Sequence, residues 1–179
     1  MRKVSRLQGE RWQNIAFSII ALSLVLADQF SKAWIRSNIA VGQSVPEGAF
    51  LHITHTQNTG AAFGIFQGHA PSLTVVSFIG AGIIVVYTFY LCRRFTFLNN
   101  IISKGALGAM LGGTVGNLID RMTLGYVTDF IGVGTFPTFN ISDASITGGV
   151  GVFAGFLIYL LVKEKQEADR RNDADCHQI

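Results

Sequence analysis

Four apolar stretches alternate with polar connections along the chain, and they predict the helices of a membrane protein. They cover residues 14–27, 73–92, 105–119 and 146–162. A helix that crosses the core of a bilayer needs roughly 17–25 residues. The second and fourth stretches reach that length alone. The first needs the residues up to about Trp34, and the third needs the preceding "NNIIS". The pattern therefore predicts four transmembrane helices.

The connection between the first two stretches has a different periodicity. Leu51 and Ile53 alternate with His52 and Thr54, which is typical of a strand, and the turn signal "NTG" follows. An unpaired strand is not tolerated in hydrocarbon, so this one must be paired or lie outside it. We predict an all-α membrane protein with four transmembrane helices and a small outward-facing β-element between helices 1 and 2.

Composition supports this class of protein. Of the 179 residues, 49% are hydrophobic and 14% are charged, whereas about a quarter of the residues of a soluble domain are charged. The small charged fraction argues against a soluble protein with buried helices. The length predicts a single domain over residues 1–179.

Lysine and arginine residues cluster in three places, and these clusters predict the orientation in the membrane. The clusters are Arg2, Lys3, Arg6 and Arg11; Arg93, Arg94 and Lys104; and Lys163, Lys165, Arg170 and Arg171. Both termini, residues 1–13 and 163–179, are therefore expected in the cytoplasm. The first stretch also resembles the core of a signal peptide, but no A-x-A-like cleavage site follows it. We interpret it as a retained anchor.

Ionisable residues stand at the outward ends of the predicted helices. Each costs about 2.5–3.5 kcal/mol at membrane depth on insertion scales, so each is a functional candidate. Asp28 and Lys32 are spaced i, i+4, which predicts an ion pair on one helix face. Asp143 precedes the fourth stretch, where it could simply cap the helix. Asp129 is flanked by apolar residues without a nearby cation in the sequence, so it should have a partner elsewhere.

Asp129 and Asp143 could act together as a pair of carboxylates. Two adjacent carboxylates cannot both ionise easily, so they share a proton. The ionised member can accept a proton from water while the protonated member polarises a carbonyl, as in aspartic proteases. No Ser-His-Asp, Cys-His or H-E-x-x-H set competes with them. Two alternatives remain: a small four-helix proton-coupled exporter and a membrane scaffold without enzymatic activity.

Glycines in the third and fourth stretches recur at four-residue spacing. They are Gly108, Gly112 and Gly116, and then Gly151 and Gly155. Small residues at this spacing allow helices to approach closely within lipid. We expect both sets to lie at helix contacts.

Five blocks of the chain resemble the lipoprotein signal peptidases, also called bacterial signal peptidase II. They are "ADQFSK" at 27–32, "NTGAAFG" at 58–64, "GGTVGNLIDR" at 112–121, "GYVTDF" at 125–130 and "FNISDASI" at 139–146. The blocks occur in the order of the family and span most of the chain. Thr128 stands where the family often has an aliphatic residue, and Ser142 where it often has alanine.

The resemblance implies roles for individual residues. Asp129 and Asp143 match the two catalytic aspartates of the family. Substrate-binding residues match Asn58, Gly60, Asn117, Arg121 and Asn140, and supporting residues match Asp28, Lys32 and Asp120.

The resemblance also implies an activity and its partners. The family removes signal peptides from prolipoproteins whose first mature residue is a diacylglyceryl-modified cysteine, at the outer face of the bacterial inner membrane. The expected partners are these prolipoproteins, membrane lipid and inhibitors of the globomycin type. No metal, organic cofactor or nucleic acid is implied.

Overall fold

The chain forms four long helices and a small sheet in a computed structural model that describes residues 2–60 and 70–176. The helices are α1 (Arg2–Asn38), α2 (Ala70–Val86), α3 (Ile101–Leu124) and α4 (Ile141–Cys176). Helix α2 continues through a π-helical turn (Tyr87–Leu91) and a short helical segment (Cys92–Arg94), and a 3-10 turn (Thr96–Leu98) precedes α3. Among the described residues, three helical stretches are long and apolar enough to cross a membrane: Arg11–Asn38, Pro71–Tyr90 and Ile141–Arg170.

Helix α3 lies at the centre of the bundle, where it packs against α1, α2 and α4. It holds eleven buried residues, among them Lys104, Asn117 and Asp120. Because its neighbours cover it, its own surface does not have to be as apolar as that of a lipid-facing helix. This explains why α3 is not among the three stretches apolar enough to cross a membrane.

Close contacts through glycine set the distance between α3 and α1. A Cβ atom at Gly108 would lie 2.8 Å from the carbonyl oxygen of Phe17, and one at Gly112 would lie 2.7 Å from that of Ala21. At Gly116, a Cβ would meet the side chains of Asp28 and Ser142. The expected packing role of these three glycines is therefore confirmed.

The same expectation was wrong for two glycines of α4. In the described part of the chain, no atom comes within 4 Å of a Cβ built on Gly151 or Gly155. Gly149 makes the close approach instead, because a Cβ there would lie 2.8 Å from the carbonyl oxygen of Ala106 in α3. Four-residue spacing defines a face of a helix, but it does not reveal which face meets a neighbour.

The sheet has four antiparallel strands in the order β1 (Ser44–Val45), β2 (Leu51–Asn58), β3 (Val127–Val133) and β4 (Phe136–Phe139). The predicted strand at Leu51 is confirmed. The predicted position of the β-element was incomplete, however, because β3 and β4 come from the connection between α3 and α4. The first four residues of β3 are all buried, so the strand lacks the alternation that would reveal it.

Apolar contacts and one histidine hold the sheet against the end of α1. Ile35 and Ile39 form a buried cluster with Phe130 of β3. The ring of His55 in β2 bonds through Nδ1 to the carbonyl oxygen of Ile39 at 2.8 Å. The sheet therefore sits at the end of the bundle where α1 ends and α4 begins.

Helix α4 is longer than its apolar stretch. It begins at Ile141, after Asn140, and it continues through the polar residues that follow Val162 as far as Cys176. In that extension Nζ of Lys163 lies 4.0 Å from Oε1 of Glu167, four residues farther along, which is the spacing of a helical ion pair. The apolar pattern therefore predicted the middle of this helix but not its two ends.

Helix packing through Gly112 can be tested with a matched pair of alanine substitutions. Alanine is favoured over glycine in a helix by roughly 1 kcal/mol, so Gly151→Ala should keep or slightly raise the melting temperature. Gly112→Ala should lower it, because the new methyl group would force α3 away from Ala21. Thermal unfolding of both variants in the same detergent measures the difference, and equal melting temperatures would contradict the contact.

Candidate active site

A cavity of about 820 Å³ opens between the sheet, α3 and the first turns of α4. Its polar lining contains six of the predicted site residues: Asn58, Gly60, Asn117, Arg121, Asp129 and Asp143. Its apolar lining includes Val127, Phe136, Phe139 and Ile146. Asn140 does not line the cavity, because it lies fully buried behind the two aspartates. The structure thus brings together residues from four separate blocks of the sequence.

Asp129 is presented by β3, which follows α3 after a tight turn. Gly125 ends α3 in the left-handed conformation, with a φ of 79°, and its N–H donates to the carbonyl oxygen of Arg121. The chain then turns back, and the N–H of Thr128 donates to Oδ2 of Asp120 at 2.9 Å. This bond ties β3 to the last turns of α3 at the residue before Asp129.

Asp143 lies in the first turn of α4, in a reciprocal capping arrangement with Asn140. The N–H of Asp143 donates to Oδ1 of Asn140 at 3.0 Å, and the N–H of Asn140 donates to Oδ2 of Asp143 at 3.2 Å. This pairing is the capping-box geometry, with asparagine and aspartate in the two roles. The sequence suggested that Asp143 caps this helix. In the structure Asn140 occupies the N-cap position, and Asp143 bonds back to it from the first turn.

Asn140 connects the two carboxylates. Its side-chain Nδ2 donates to Oδ1 of Asp129 at 2.7 Å, while its backbone N–H contacts Asp143. Asn58 donates from the other side, with its Nδ2 3.0 Å from Oδ2 of Asp129. Both aspartates are consequently held at one wall of the cavity by groups that donate hydrogen bonds to them.

Asn117 forms hydrogen bonds with both Asp143 and the buried ammonium group of Lys32. Its Nδ2 donates to Oδ1 of Asp143 at 2.7 Å. Its Oδ1 accepts from Nζ of Lys32 at 2.9 Å and from Nδ2 of Asn140 at 3.1 Å. An ammonium group can only donate hydrogen bonds, so Lys32 fixes the amide with its oxygen inward and its NH₂ group toward Asp143.

Lys32 also joins two buried carboxylates. Its Nζ lies 2.8 Å from Oδ2 of Asp28 and 3.4 Å from Oδ2 of Asp120. The predicted Asp28–Lys32 pair is thus confirmed. Asp28 in turn accepts from the N–H of Ser142 at 3.0 Å, as Asp120 does from Thr128. Each of these carboxylates therefore holds the backbone of the residue before one of the two cavity aspartates.

Two predicted binding residues make other contacts. Oδ1 of Asn58 accepts from the N–H of Gly60 at 2.9 Å, which closes a local turn at the end of β2. Arg121 lines the cavity and donates from Nη1 to Oγ of Ser77 in α2 at 3.3 Å. Residues 61–64 of the "NTGAAFG" block lie outside the described residues.

Two residues of α1 that the sequence did not single out belong to the same network. Nε2 of Gln29 donates to the carbonyl oxygen of Gly116 at 3.0 Å and lies 3.3 Å from Oδ1 of Asp120. Nη1 of Arg36 donates to Oγ1 of Thr128 at 3.0 Å. Arg36 follows Lys32 by four residues, so the helical spacing that revealed the Asp28–Lys32 pair would also have revealed Arg36.

Comparison with known proteins identifies the family to which this site belongs. The family described as signal peptidase (SPase) II matches residues 20–162. The chain belongs to the signal peptidase II family. It is a membrane signal peptidase of the aspartic type, and the aspartates on the cavity wall agree with that class.

Individual relatives agree with this family assignment. A lipoprotein signal peptidase of Dehalococcoides mccartyi is 48% identical over 149 residues, which cover 83% of this chain and 91% of the relative. One of Shouchella clausii is 38% identical over 83% of this chain and 95% of its own length. A bacterial membrane enzyme solved by the in meso method at 2.3 Å resolution shares 32% identity with a TM-score of 0.68, over 83% of this chain and 88% of that enzyme.

Burial and charge strongly perturb one carboxyl group of this signal peptidase. Asp129 is 1% exposed. Its pKa is raised to about 7, first by burial and then by the negative charge of Asp143. Hydrogen bonds from Asn58 and Asn140 oppose this rise because they stabilise the ionised form. Near neutral pH, Asp129 can therefore hold a proton that an ordinary aspartate would have lost.

The raised pKa of Asp129 predicts how stability depends on pH. Between its ordinary value of 3.8 and about 7, the folded protein holds a proton that the unfolded chain releases, so the free energy of unfolding falls as pH rises. Asp129→Asn cannot ionise, so the variant should lose less stability than the wild type between these pH values. Thermal unfolding across this range tests the prediction, and parallel curves for the two proteins would contradict it.

Proposed function

We propose that this signal peptidase removes signal peptides from diacylglyceryl-modified prolipoproteins, with Asp129 and Asp143 as its catalytic pair. One observation carries the assignment: both carboxylates stand on the wall of the same cavity and are joined through Asn140. Pairs of carboxylates that share a proton can activate water and polarise a carbonyl group at the same time. The lipoprotein substrate follows from the names of the relatives and from the family resemblance.

The two carboxylates share one proton, so one can act as general acid and the other as general base. Asp143 lies at the N-terminus of α4, where the helix dipole stabilises an anion, and it accepts bonds from Asn117 and the backbone of Asn140. Asp129 is buried in a strand, with its pKa raised to about 7. We therefore assign the ionised form to Asp143 as general base and the protonated form to Asp129 as general acid.

These roles give a balanced reaction. A water molecule attacks the scissile carbonyl carbon while Asp143 takes one of its protons and Asp129 donates a proton to the carbonyl oxygen. The resulting tetrahedral diol then loses a hydroxyl proton to Asp129, and Asp143 passes its proton to the leaving nitrogen. The C–N bond breaks to give a carboxylic acid and an amine, and both aspartates return to their initial states.

The cavity has the chemistry that a lipidated peptide requires. Its apolar side contains Phe136, Phe139 and Ile146, next to the polar side that holds the two aspartates. Burial of acyl chains in the membrane contributes about 0.8 kcal/mol per CH₂ group, which would hold the modified cysteine at this level. Asn58 and Arg121 can orient the peptide by hydrogen bonds. We place inhibitors of the globomycin type in the same cavity.

We also propose that α3 is the fourth membrane span of a single domain covering residues 1–179. Its 24 residues would extend about 36 Å, which is enough to cross a bilayer core. The distribution of lysine and arginine favours both termini, residues 1–13 and 163–179, in the cytoplasm of a bacterium. The sheet and the catalytic pair would then stand at the outer face of the inner membrane.

The proposed activity predicts how catalytic-site variants behave toward lipidated substrate. Asp129→Asn and Asp143→Asn should each abolish cleavage of a diacylglyceryl-modified prolipoprotein, because asparagine can neither hold nor transfer the proton. The purified wild type should cleave this substrate and should lose most of its kcat/KM on the unlipidated precursor. Gel analysis of the cleaved product measures both effects.

The two possible contrary outcomes refute different parts of the proposal. Near-normal turnover by either variant, with folding verified by size-exclusion chromatography, would refute the catalytic pair. Equal cleavage of the lipidated and unlipidated precursors would instead refute the role of the lipid and leave a general membrane aspartic peptidase. Lys163→Gln, in the polar extension of α4, serves as the control variant and should cleave normally.

The proposed orientation predicts which cysteines can be labelled from outside the cell. In a variant whose native Cys92 and Cys176 have been replaced, a cysteine at Glu47 should react with an impermeant thiol reagent in intact cells. A cysteine at Asn99 should react only after lysis. Glu47 is exposed and avoids the left-handed backbone of neighbouring Gly48, which has a φ of 73°. The reverse labelling pattern would refute the orientation.

A further inference from the structure

Arg36 reaches the active-site network from outside the cavity. It lies one helical turn beyond Lys32 on α1, and its side chain is 25% exposed. Its Nη1 lies 3.0 Å from Oγ1 of Thr128 and 3.6 Å from Oδ1 of Asp120. Both of these partners are almost completely buried. The guanidinium group therefore connects the end of α1 with both α3 and β3.

Thr128 is the residue through which this contact affects Asp129. Its N–H donates to Asp120 and its hydroxyl group accepts from Arg36, so both its backbone and its side chain are held. Successive side chains of a strand point to opposite faces. Fixing Thr128 on one face consequently fixes the direction in which Asp129 projects on the other. This contact depends on the threonine hydroxyl, at a position where the family often has an aliphatic residue.

Arg36 also balances the charge of the buried network. Asp28 and Asp120 carry two negative charges, and Lys32 supplies one positive charge between them. Arg36 supplies the second positive charge, beside Asp120. Without it, the group would carry an excess negative charge close to a catalytic pair that must itself hold one negative charge. Buried charges that lack a partner are costly.

We propose that Arg36 is a positioning residue for the peptidase reaction, which acts through Thr128 and Asp120 to set the direction of Asp129. This inference rests on the proposed catalytic role of Asp129 and goes beyond it, because Arg36 touches neither the cavity lining nor the two aspartates. Arg36 and Thr128 should therefore act as one unit whose loss lowers turnover and leaves substrate binding intact.

Two substitutions of Thr128 distinguish the effect of its hydroxyl group from the effect of its side-chain shape. Thr128→Val keeps the volume of the side chain but removes the acceptor for Arg36, and kcat should fall by about 10-fold because small displacements of a catalytic group are costly. KM should stay unchanged. Thr128→Ser retains the hydroxyl group and should restore most of the turnover. An equal loss in the serine and valine variants would show that shape, and not the hydrogen bond, determines activity.

Substitution of Arg36 tests the charge separately. Arg36→Gln should lower kcat and also move the pH profile of kcat toward higher pH, because removal of a positive charge disfavours ionisation of nearby carboxylates. Thr128→Val should leave the pH profile in place. The charged groups that act on the catalytic pair are Asp28 and Lys32 on α1 and Arg121 on α3. Asp120 and Arg36 lie one contact farther away, and His55 of β2 bonds to Ile39 outside the cavity lining.

The double variant and a remote control complete the test. If the two residues act as one unit, Arg36→Gln/Thr128→Val should lose no more kcat than Arg36→Gln alone. Arg11→Gln removes the same charge far along α1 and should change neither kcat nor the pH profile. Multiplied losses in the double variant, or wild-type kcat in both single variants, would overturn the proposal.

The same assay distinguishes this proposal from the catalytic assignment. Wild-type protein and Asp129→Asn are measured beside the other variants on lipidated prolipoprotein. Active wild type with inactive Asp129→Asn upholds the catalytic pair, whatever the Arg36 variants show. Turnover by Asp129→Asn would instead refute the catalytic role of Asp129. Because Arg36 is proposed to act through Asp129, that result would overturn both proposals together.

Discussion

A single buried ammonium group holds together the side chains behind the candidate active site. Lys32 is fully buried, and its Nζ lies within 3.4 Å of oxygen atoms from Asp28, Asn117 and Asp120. Removing one partner of a buried ion pair typically costs about 3–5 kcal/mol, so these oxygens cannot easily move away. Asp28 and Asp120 each accept a hydrogen bond from the backbone amide that precedes one of the two cavity aspartates, and Asn117 bonds directly to Asp143. The position of one cation thereby constrains both aspartates.

The same arrangement argues against a proton-coupled exporter. A proton relay across the membrane would need titratable groups spread along the helices, at more than one depth. Here Asp28, Lys32 and Asp120 lie close together beside the sheet, at the end of the bundle where α4 begins. Lys104 is buried in α3 four turns from Asp120, but it bonds to the carbonyl oxygen of Thr88 at 2.6 Å. The acidic groups therefore form one local site, which suits chemistry at the membrane surface.

Local patterns in the sequence predicted those features that depend on neighbours along the chain. The apolar stretches, the strand at Leu51 and the Asp28–Lys32 pair are of this kind. The contact between Arg36 and Thr128 joins residues far apart in the sequence, and only tertiary structure brings them together. Strand β3 was missed for a related reason, since burial on both faces removes the alternation. The sequence still singled out Asp129, because an acid flanked by apolar residues stands out whatever element carries it, and Asp143, because it directly precedes an apolar stretch.

The last turns of α1 contact both elements that carry the proposed catalytic pair. Asp28, Lys32 and Arg36 lie on one face of the helix, and about 12 Å of helical rise separates the first from the last. Asp28 contacts the start of α4 through Ser142, whereas Arg36 contacts β3 through Thr128. Asp129 and Asp143 belong to a strand and a helix that Asn140 already joins. Because both elements are attached to one helix, α1 adds to the direct link through Asn140 in holding the two carboxylates together.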